Sequence, residues 1–479
     1  MDVIASQHAA SAQTRHRPAH VLIAVSAVVV SYGLMQTMLV PTIGVLQRDL
    51  NTTTGAASWA VLSAMLLASA VITPVAGRLG DRYGKRRILL WMLAVYLIGT
   101  LGAIVAPGIG VLIACRAVQG VGLTLLPLSF AIMRDALPAE RVHVGIALAS
   151  GLVTGTAGLG LLIGGLVVDH GSWRWLFVIG AALVISALAM TARWIPERGA
   201  RHPGRLDFAG MTLMAAGLIA ALLAITQGPA WGWRSASVAG LFAAALLFLS
   251  AFAVVESRVA HPLVDPSLIT EGPLAAAHLG ALLLGVNQFA VYVLVPKLAE
   301  LPQSGGPGFG LSVTGAALVL LPGTLLTVPA SWATPWLGRR IGVRGPLVAG
   351  LAFAAIGTTL LALLHHTVWQ AVLNYAIASA GWGLAMASLP RMVNAACPTT
   401  QSGSANGVNT VARTVGGAVG GQLAAALLAS NAVSATGLPT GNGFSTAFFV
   451  AAGIAAVGAS AVALPIFRNP PDTRSRCTA

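Results

Sequence analysis

Gly77-Arg78-Leu79-Gly80-Asp81-Arg82-Tyr83-Gly84-Lys85-Arg86-Arg87 joins two apolar runs, at about 55 to 76 and 88 to 106. Its glycines permit a tight turn at a helix end. Asp81 can accept from N–H groups at a helix start or pair with an arginine, and a basic cluster between apolar runs marks a cytoplasmic loop of a membrane chain. The pattern returns 258 residues later. Leu79-Gly80-Asp81-Arg82-Tyr83-Gly84-Lys85-Arg86 aligns with Leu337-Gly338-Arg339-Arg340-Ile341-Gly342-Val343-Arg344, with five identities in eight. The chain is therefore an internal duplication, in which the two loops occupy equivalent places.

Outward from this loop, the 479 residues are 56% hydrophobic and only 8% charged, with a mean hydropathy of +0.83. Soluble domains carry about 25% charged residues, so this composition fits a polytopic membrane protein and excludes a large soluble domain. The first apolar run, from about His20 to Leu46, is too long for a signal-peptide core and reads as a retained span. Runs follow at about 55–76, 88–106, 109–132, 144–168, 175–194, 207–227, 237–256, 273–296, 312–332, 346–365, 368–389, 405–429 and 445–467. The reading is an all-α membrane protein of fourteen spans.

The net charge of +14 would suggest nucleic acid in a soluble chain. Here position decides otherwise. An even number of spans puts 21 of the 27 basic residues on the side of the termini. Only Arg48, Arg174, Arg234 and Lys297 fall opposite, and Arg116 and Arg413 fall within spans. Both termini are expected in the cytoplasm, and no nucleic acid partner is expected. Cys115, Cys397 and Cys477 have no ligand spacing, so neither a disulfide framework, a metal nor a cofactor is indicated.

With the repeat placed, the expected organisation is a cytoplasmic tail (1–19), a six-span half (20–194), an inserted pair of spans with its linkers (195–272), a second six-span half (273–467) and a second tail (468–479). Parallel six-span halves around a midplane cavity are a transporter architecture.

The loop resembles the signature between helices 2 and 3 of the major facilitator superfamily, matched at Gly77, Leu79, Asp81, Arg82, Gly84, Lys85 and Arg86. In that family the aspartate acts as a conformational latch with an arginine at the end of helix 4, where Arg134 stands. Arg116, Gln119 and Gly120 in RAVQGVG are similar to the family's R-x-x-Q-G-x-G pattern. WRWLF from Trp173, the inserted pair and VESRVAHPLVD from Val255 resemble the fourteen-helix drug:proton antiporter branch, the EmrB/QacA-like group. The resemblance implies a 6+2+6 fold in a bacterial plasma membrane, a monomer, and export of amphiphilic compounds such as drugs or secondary metabolites coupled to protons.

Two features depart from that branch. Gln36 stands where it usually carries an aspartate in helix 1, and glutamine carries no proton-linked charge. Gly160 to Gly165 lacks the proline of the antiporter pattern, although Gly151, Gly155, Gly160, Gly164 and Gly165 are expected to form a close-packing face. No acidic residue falls deep within a span, so Asp81 with Arg134, His278 or a group on the substrate is left as the candidate proton site. Tyr32, Gln36, Arg116, Gln119, Asn287, Gln288, Asn409 and Arg413 are the candidate cavity residues. Arginine in a span normally faces protein or a wet cavity. Two such arginines without a deep carboxylate point to neutral or anionic amphiphiles. A proton-independent facilitator or importer of small polar solutes is the alternative. A membrane enzyme or sensor should show a catalytic cluster or a soluble output domain, and neither is visible.

Overall fold

The structure is a computed structural model describing residues 18–52, 56–57, 59–197, 208–259, 272–303, 307–397, 402–432 and 438–464. The described residues are helical almost throughout. In the first half α1 (Pro18–Thr37) is followed by a 3-10 turn (Val40–Thr42) and α2 (Ile43–Asp49), and a π turn (Trp59–Ser63) opens α3 (Ala64–Tyr83). Next come α4 (Lys85–Ile104), α5 (Ile109–Gln119), a 3-10 turn (Gly120–Thr124), α6 (Leu125–Ala136), α7 (Ala139–His170) and α8 (Arg174–Trp194). An apolar pair, α9 (Phe208–Trp231) and α10 (Ala236–Glu256), leads to α11 (Gly272–Glu300), α12 (Val313–Ile341), α13 (Gly345–Leu363), α14 (Val368–Ala396), α15 (Ser402–Ser430) and α16 (Gly441–Ala463). The face where α1 begins and α16 ends is called the tail face below, and the opposite one the far face.

Twelve helices of the described residues are long and apolar enough to cross a membrane, and shorter apolar stretches occupy 59–73 and 209–225. Their outer surfaces are what a lipid-facing protein requires. Ile98, Leu246 and Trp369 are 66%, 71% and 74% exposed, which water would penalise and hydrocarbon does not.

The turns follow their residues. Gly84 and Gly342, equivalent in the repeat, have φ of +102° and +82°, backbone values that favour glycine. At Gly84 a carboxylate oxygen of Glu197 also stands where a Cβ would project. Ser312 caps α12 by accepting from the Gly315 N–H, and Thr367 with Gln370 forms a capping box on α14. Pro41 has no N–H to give, and α1 yields to the 3-10 turn that contains it.

Each half has its own apolar core, one built on α1 and α3 to α8, the other on α11 to α16. Small residues set the spacing. A Cβ on Gly164 would strike the Met38 carbonyl, and one on Gly160 the Thr37 hydroxyl, so α7 crosses α1 backbone to backbone. Gly416 and Gly420 on α15 approach the carbonyls of Leu282 and Val286 on α11 in the same manner. Gly165 meets the backbone of Thr314 across the seam between halves. Gly151 and Gly155 do not belong to this packing, because nothing stands within 4 Å of where their Cβ atoms would be. Helical spacing put them on a shared face without determining what lies opposite.

The halves meet along two seams, α7 with α12 and α3 with α15. On the far face the Asp169 carboxylate accepts from the Thr314 N–H at 3.0 Å, tying the end of α7 to the start of α12. α9 lies over the other seam, where Met211 and Met214 pack with Val75 of α3 and Val408 of α15.

Candidate functional site

Where the halves face each other, a cavity of about 110 Å³ is lined by Tyr32 and Gln36 of α1, Arg116 of α5, Gln288 and Tyr292 of α11, Trp382 of α14 and Arg413 of α15, among others. That volume holds a few waters, whereas drug-sized ligands occupy about 300–1,000 Å³. A drug-sized ligand does not fit the cavity in this conformation.

Its two arginines differ in their hydrogen bonding. The Arg116 side chain is 1% exposed, and its Nε donates to the Ala60 carbonyl at 3.0 Å. Nη2 donates to the Val61 carbonyl at 2.8 Å and lies 3.3 Å from Met65 Sδ, and Nη1 donates to Gln119 Oε1 at 2.7 Å. Both carbonyls belong to the π turn that opens α3. The guanidinium thus fastens α5 to α3, with its charge spread over carbonyl dipoles. Gln119 in turn donates to Thr100 at 2.8 Å, so the buried polar chain is satisfied at each link. Arg413 is half-buried on the same lining, near the Tyr32 and Tyr292 hydroxyls, and its guanidinium donates no hydrogen bond to any described residue.

Of the sequence-selected cavity residues, Tyr32, Gln36, Arg116, Gln288 and Arg413 come together on the lining. Gln119, Asn287 and Asn409 do not, because each is spent on neighbouring helices. Asn287 donates to Thr358 Oγ1 at 3.1 Å and to the Ala451 carbonyl at 3.0 Å, and accepts from Trp382 Nε1 at 2.9 Å. Asn409 donates to the Ala277 carbonyl at 3.0 Å and lies 3.4 Å from His278 Nδ1. His278 is buried there, away from the cavity lining.

Sequence reasoning missed the aromatic wall. Phe289 and Tyr292 contact edge to face at 5.8 Å, Tyr292 and Trp382 at 5.5 Å, and Trp382 and Tyr375 at 5.6 Å. Gln288 donates to the Tyr292 hydroxyl at 3.2 Å. Tyr292, four residues beyond Gln288, was the signal available in the sequence, since that spacing shares a helix face.

At the tail face, the end of α3 and the Gly84 turn hold Gly77, Asp81 and Arg82. Lys85 pairs with Asp135 of α6 at 2.8 Å. Arg86 donates to the Ala192 carbonyl of α8 at 2.7 Å and stands 3.9 Å from Glu197. The loop therefore bolts α4 to the ends of α6 and α8. Arg134 is exposed beside Asp135, and the Asp81 side chain lies outside the described residues.

A family model, the Major Facilitator Superfamily, matches residues 25–421. The chain belongs to this family. Its members are transporters, and the fold agrees. The crystal structure of the human organic anion transporter MFSD10 (TETRAN) superposes with a TM-score of 0.65 at 14% identity, covering 94% of this chain and all of that one. The partially occluded inward-open xylose transporter XylE of E. coli gives 0.59 at 13% identity, covering 92% and 96%. Among relatives in sequence, the cephamycin export protein CmcT of Amycolatopsis lactamdurans is 32% identical over 378 residues, 77% of this chain and 76% of that one. The tetracenomycin C resistance and export protein of Streptomyces glaucescens is 26% identical over 409 residues, 85% and 75%. A multidrug resistance protein B homolog of Mycobacterium tuberculosis is 28% identical over 379 residues, 77% and 69%. This facilitator-family chain is thus a multi-span membrane transporter of the drug-efflux type, with bacterial relatives.

Proposed function

We propose that the protein exports neutral or anionic amphiphilic organic compounds, such as antibiotics or secondary metabolites, by proton-coupled alternating access. One observation carries the substrate charge: the central cavity holds two guanidinium groups and no carboxylate among its described lining residues, and Arg413 donates no hydrogen bond to a described residue. A cation entering it would lack a counter-ion, and an uncompensated charge in a low-dielectric site is costly. The relatives named for export of tetracenomycin C and cephamycin support the direction of transport.

All fourteen apolar helical segments cross the bilayer in this reading, as a 6+2+6 chain acting as a monomer. In its support, Trp59–Tyr83 and the 24-residue α9 are each long enough to span, at about 36 Å or more. The excess of basic residues on the tail face supports a cytoplasmic location for both termini. Asp81 with Arg134 serves as the tail-face latch. Asp81→Asn is expected to slow turnover severely while leaving expression and membrane insertion intact, a split that size-exclusion profiles and flux assays measure together.

The test of function uses two probes that differ by one sulfonate, anionic anilinonaphthalene sulfonate and neutral phenylnaphthylamine, in a strain lacking its own pumps. Both should be expelled against a gradient, and an uncoupler should abolish this. Preferential export of ethidium-like cations would overturn the charge assignment. Uncoupler-insensitive, purely downhill flux would select the second reading, a facilitator, which the lack of a carboxylate beside Gln36 among the described lining residues supports.

A further inference from the structure

A second cavity, of about 160 Å³, lies on the far-face side of the first. Tyr292 and Val40 line both, so these two side chains form the wall between them. The wall sits where two helices run side by side. On α11, Gln288, Tyr292, Pro296 and Glu300 recur every four residues, a spacing that keeps them near one face over about 18 Å. Gln288 lines only the central cavity, Tyr292 both, and Pro296 and Glu300 only the outer one. Opposite, Gln36, Val40 and Gly44 follow the same order across the 3-10 turn that contains Pro41, and a Cβ on Gly44 would be 3.9 Å from the Glu300 carboxylate.

The two compartments differ in charge. In the central one the charged groups among the described lining residues are both cations, Arg116 and Arg413. The outer one holds Glu300, the one carboxylate among the described residues of either lining, together with Lys297 and Gln47. Glu300 is half-buried and forms no salt bridge with a described residue. The charged groups around it are Lys297 of its own helix, Arg48 of α2 and Asp169 of α7, and both cations are exposed and screened by water. The rest of the outer lining is apolar, including Ile43, Val293, Leu428 and Pro439.

We propose that the outer cavity is an exit subsite for an anionic amphiphile, entered past Tyr292, and that Glu300 discharges from it the head group that Arg413 attracts. This rests on the export reading above. An anion moving from the central to the outer compartment leaves an uncompensated positive field for one balanced by a carboxylate. Its attraction falls as it approaches the far face, while the apolar walls, which must part to admit it because about 160 Å³ is less than a drug-sized ligand needs, still hold its body. A neutral amphiphile feels only the second effect.

The experiment uses the purified full-length chain in proteoliposomes and follows transport of anilinonaphthalene sulfonate and phenylnaphthylamine under one driving force. Glu300→Gln is expected to lower the sulfonate-to-amine ratio of kcat by about fivefold or more, because a half-buried charge a few ångströms from an anion is only partly screened. The loss should fall in kcat rather than KM, since exit follows binding. Glu300→Asp should restore the ratio. Lys297→Gln, a change at an exposed position, should move it the opposite way, which keeps the test valid if Glu300→Gln folds badly. An unchanged ratio in Glu300→Gln, or the same direction of change in both variants, would overturn the proposal. Failure of the unmodified protein to move either probe would instead defeat the export reading.

Discussion

The two halves make the same helix crossing with different chemistry. In the first half, a Cβ on Gly99 of α4 would strike the Cys115 carbonyl and the Gln119 nitrogen of α5. In the second, one on Gly357 of α13 would strike the Asn374 carbonyl and the Ala378 nitrogen of α14. These matched approaches put Tyr375 where the first half has Arg116. Arg116 sends its guanidinium to two carbonyls of the π turn, while the Tyr375 hydroxyl lies 3.3 Å from that of Thr324 on α12. The second half's cation, Arg413, stands on another helix and faces the cavity. Duplication kept the backbone approaches, which depend only on small residues, and left the polar side chains to diverge. One arginine is therefore spent on the protein's own carbonyls, while the other lines the cavity with no hydrogen bond to a described residue.

Breaking this contrast at Arg116 should have the largest effect. Arg116→Ala strands two buried carbonyls, each costing about 1–3 kcal/mol. Little folded protein should survive detergent extraction and size-exclusion chromatography. Tyr375→Phe removes one neutral hydrogen bond, and a loss of about 1 kcal/mol, read as a small drop in thermal midpoint, is expected. Equal losses in the two variants would mean that the halves do not differ as described.

The glycine crossings give the next test. Gly164→Val and Gly420→Val force a side chain onto the carbonyls of Met38 and Val286, and both should fold poorly. Gly151→Ala meets open space and should be neutral or stabilising by up to about 1 kcal/mol, because alanine loses less backbone freedom in a helix. Thermal midpoints of the three variants decide this.

The smallest effect on stability is expected at Arg413. Arg413→Gln breaks no hydrogen bond to a described residue, so the protein should fold and melt normally. Transport of anilinonaphthalene sulfonate should nevertheless fall about tenfold relative to phenylnaphthylamine, the loss of one charge contact in a partly desolvated site. If Arg413→Gln unfolds the protein and Arg116→Ala only alters selectivity, the two roles are exchanged.

The sequence by itself determined the helical membrane class, the duplication and the transporter family. These depend on local or additive properties: runs of apolar residues, the sign of charges in loops, and the Gly and Asp spacing of the loop from Gly77 to Arg87. It also nominated Tyr32, Gln36, Gln288 and Arg413 for the cavity, because polar groups at the middle of a span have few other places to go. Only the tertiary structure decided which polar residues a neighbouring helix had already satisfied. Arg116 and Arg413 look alike in sequence, and the difference between them is whether a π turn on α3 brings two carbonyls within reach. Asn287 was likewise claimed by Thr358 and Ala451, 71 and 164 positions ahead in the chain, and Asn409 by Ala277, 132 positions back. The outer cavity was equally hidden, since Glu300 reads as an ordinary acid at a helix end until packing places Gly44 of α2 beside it.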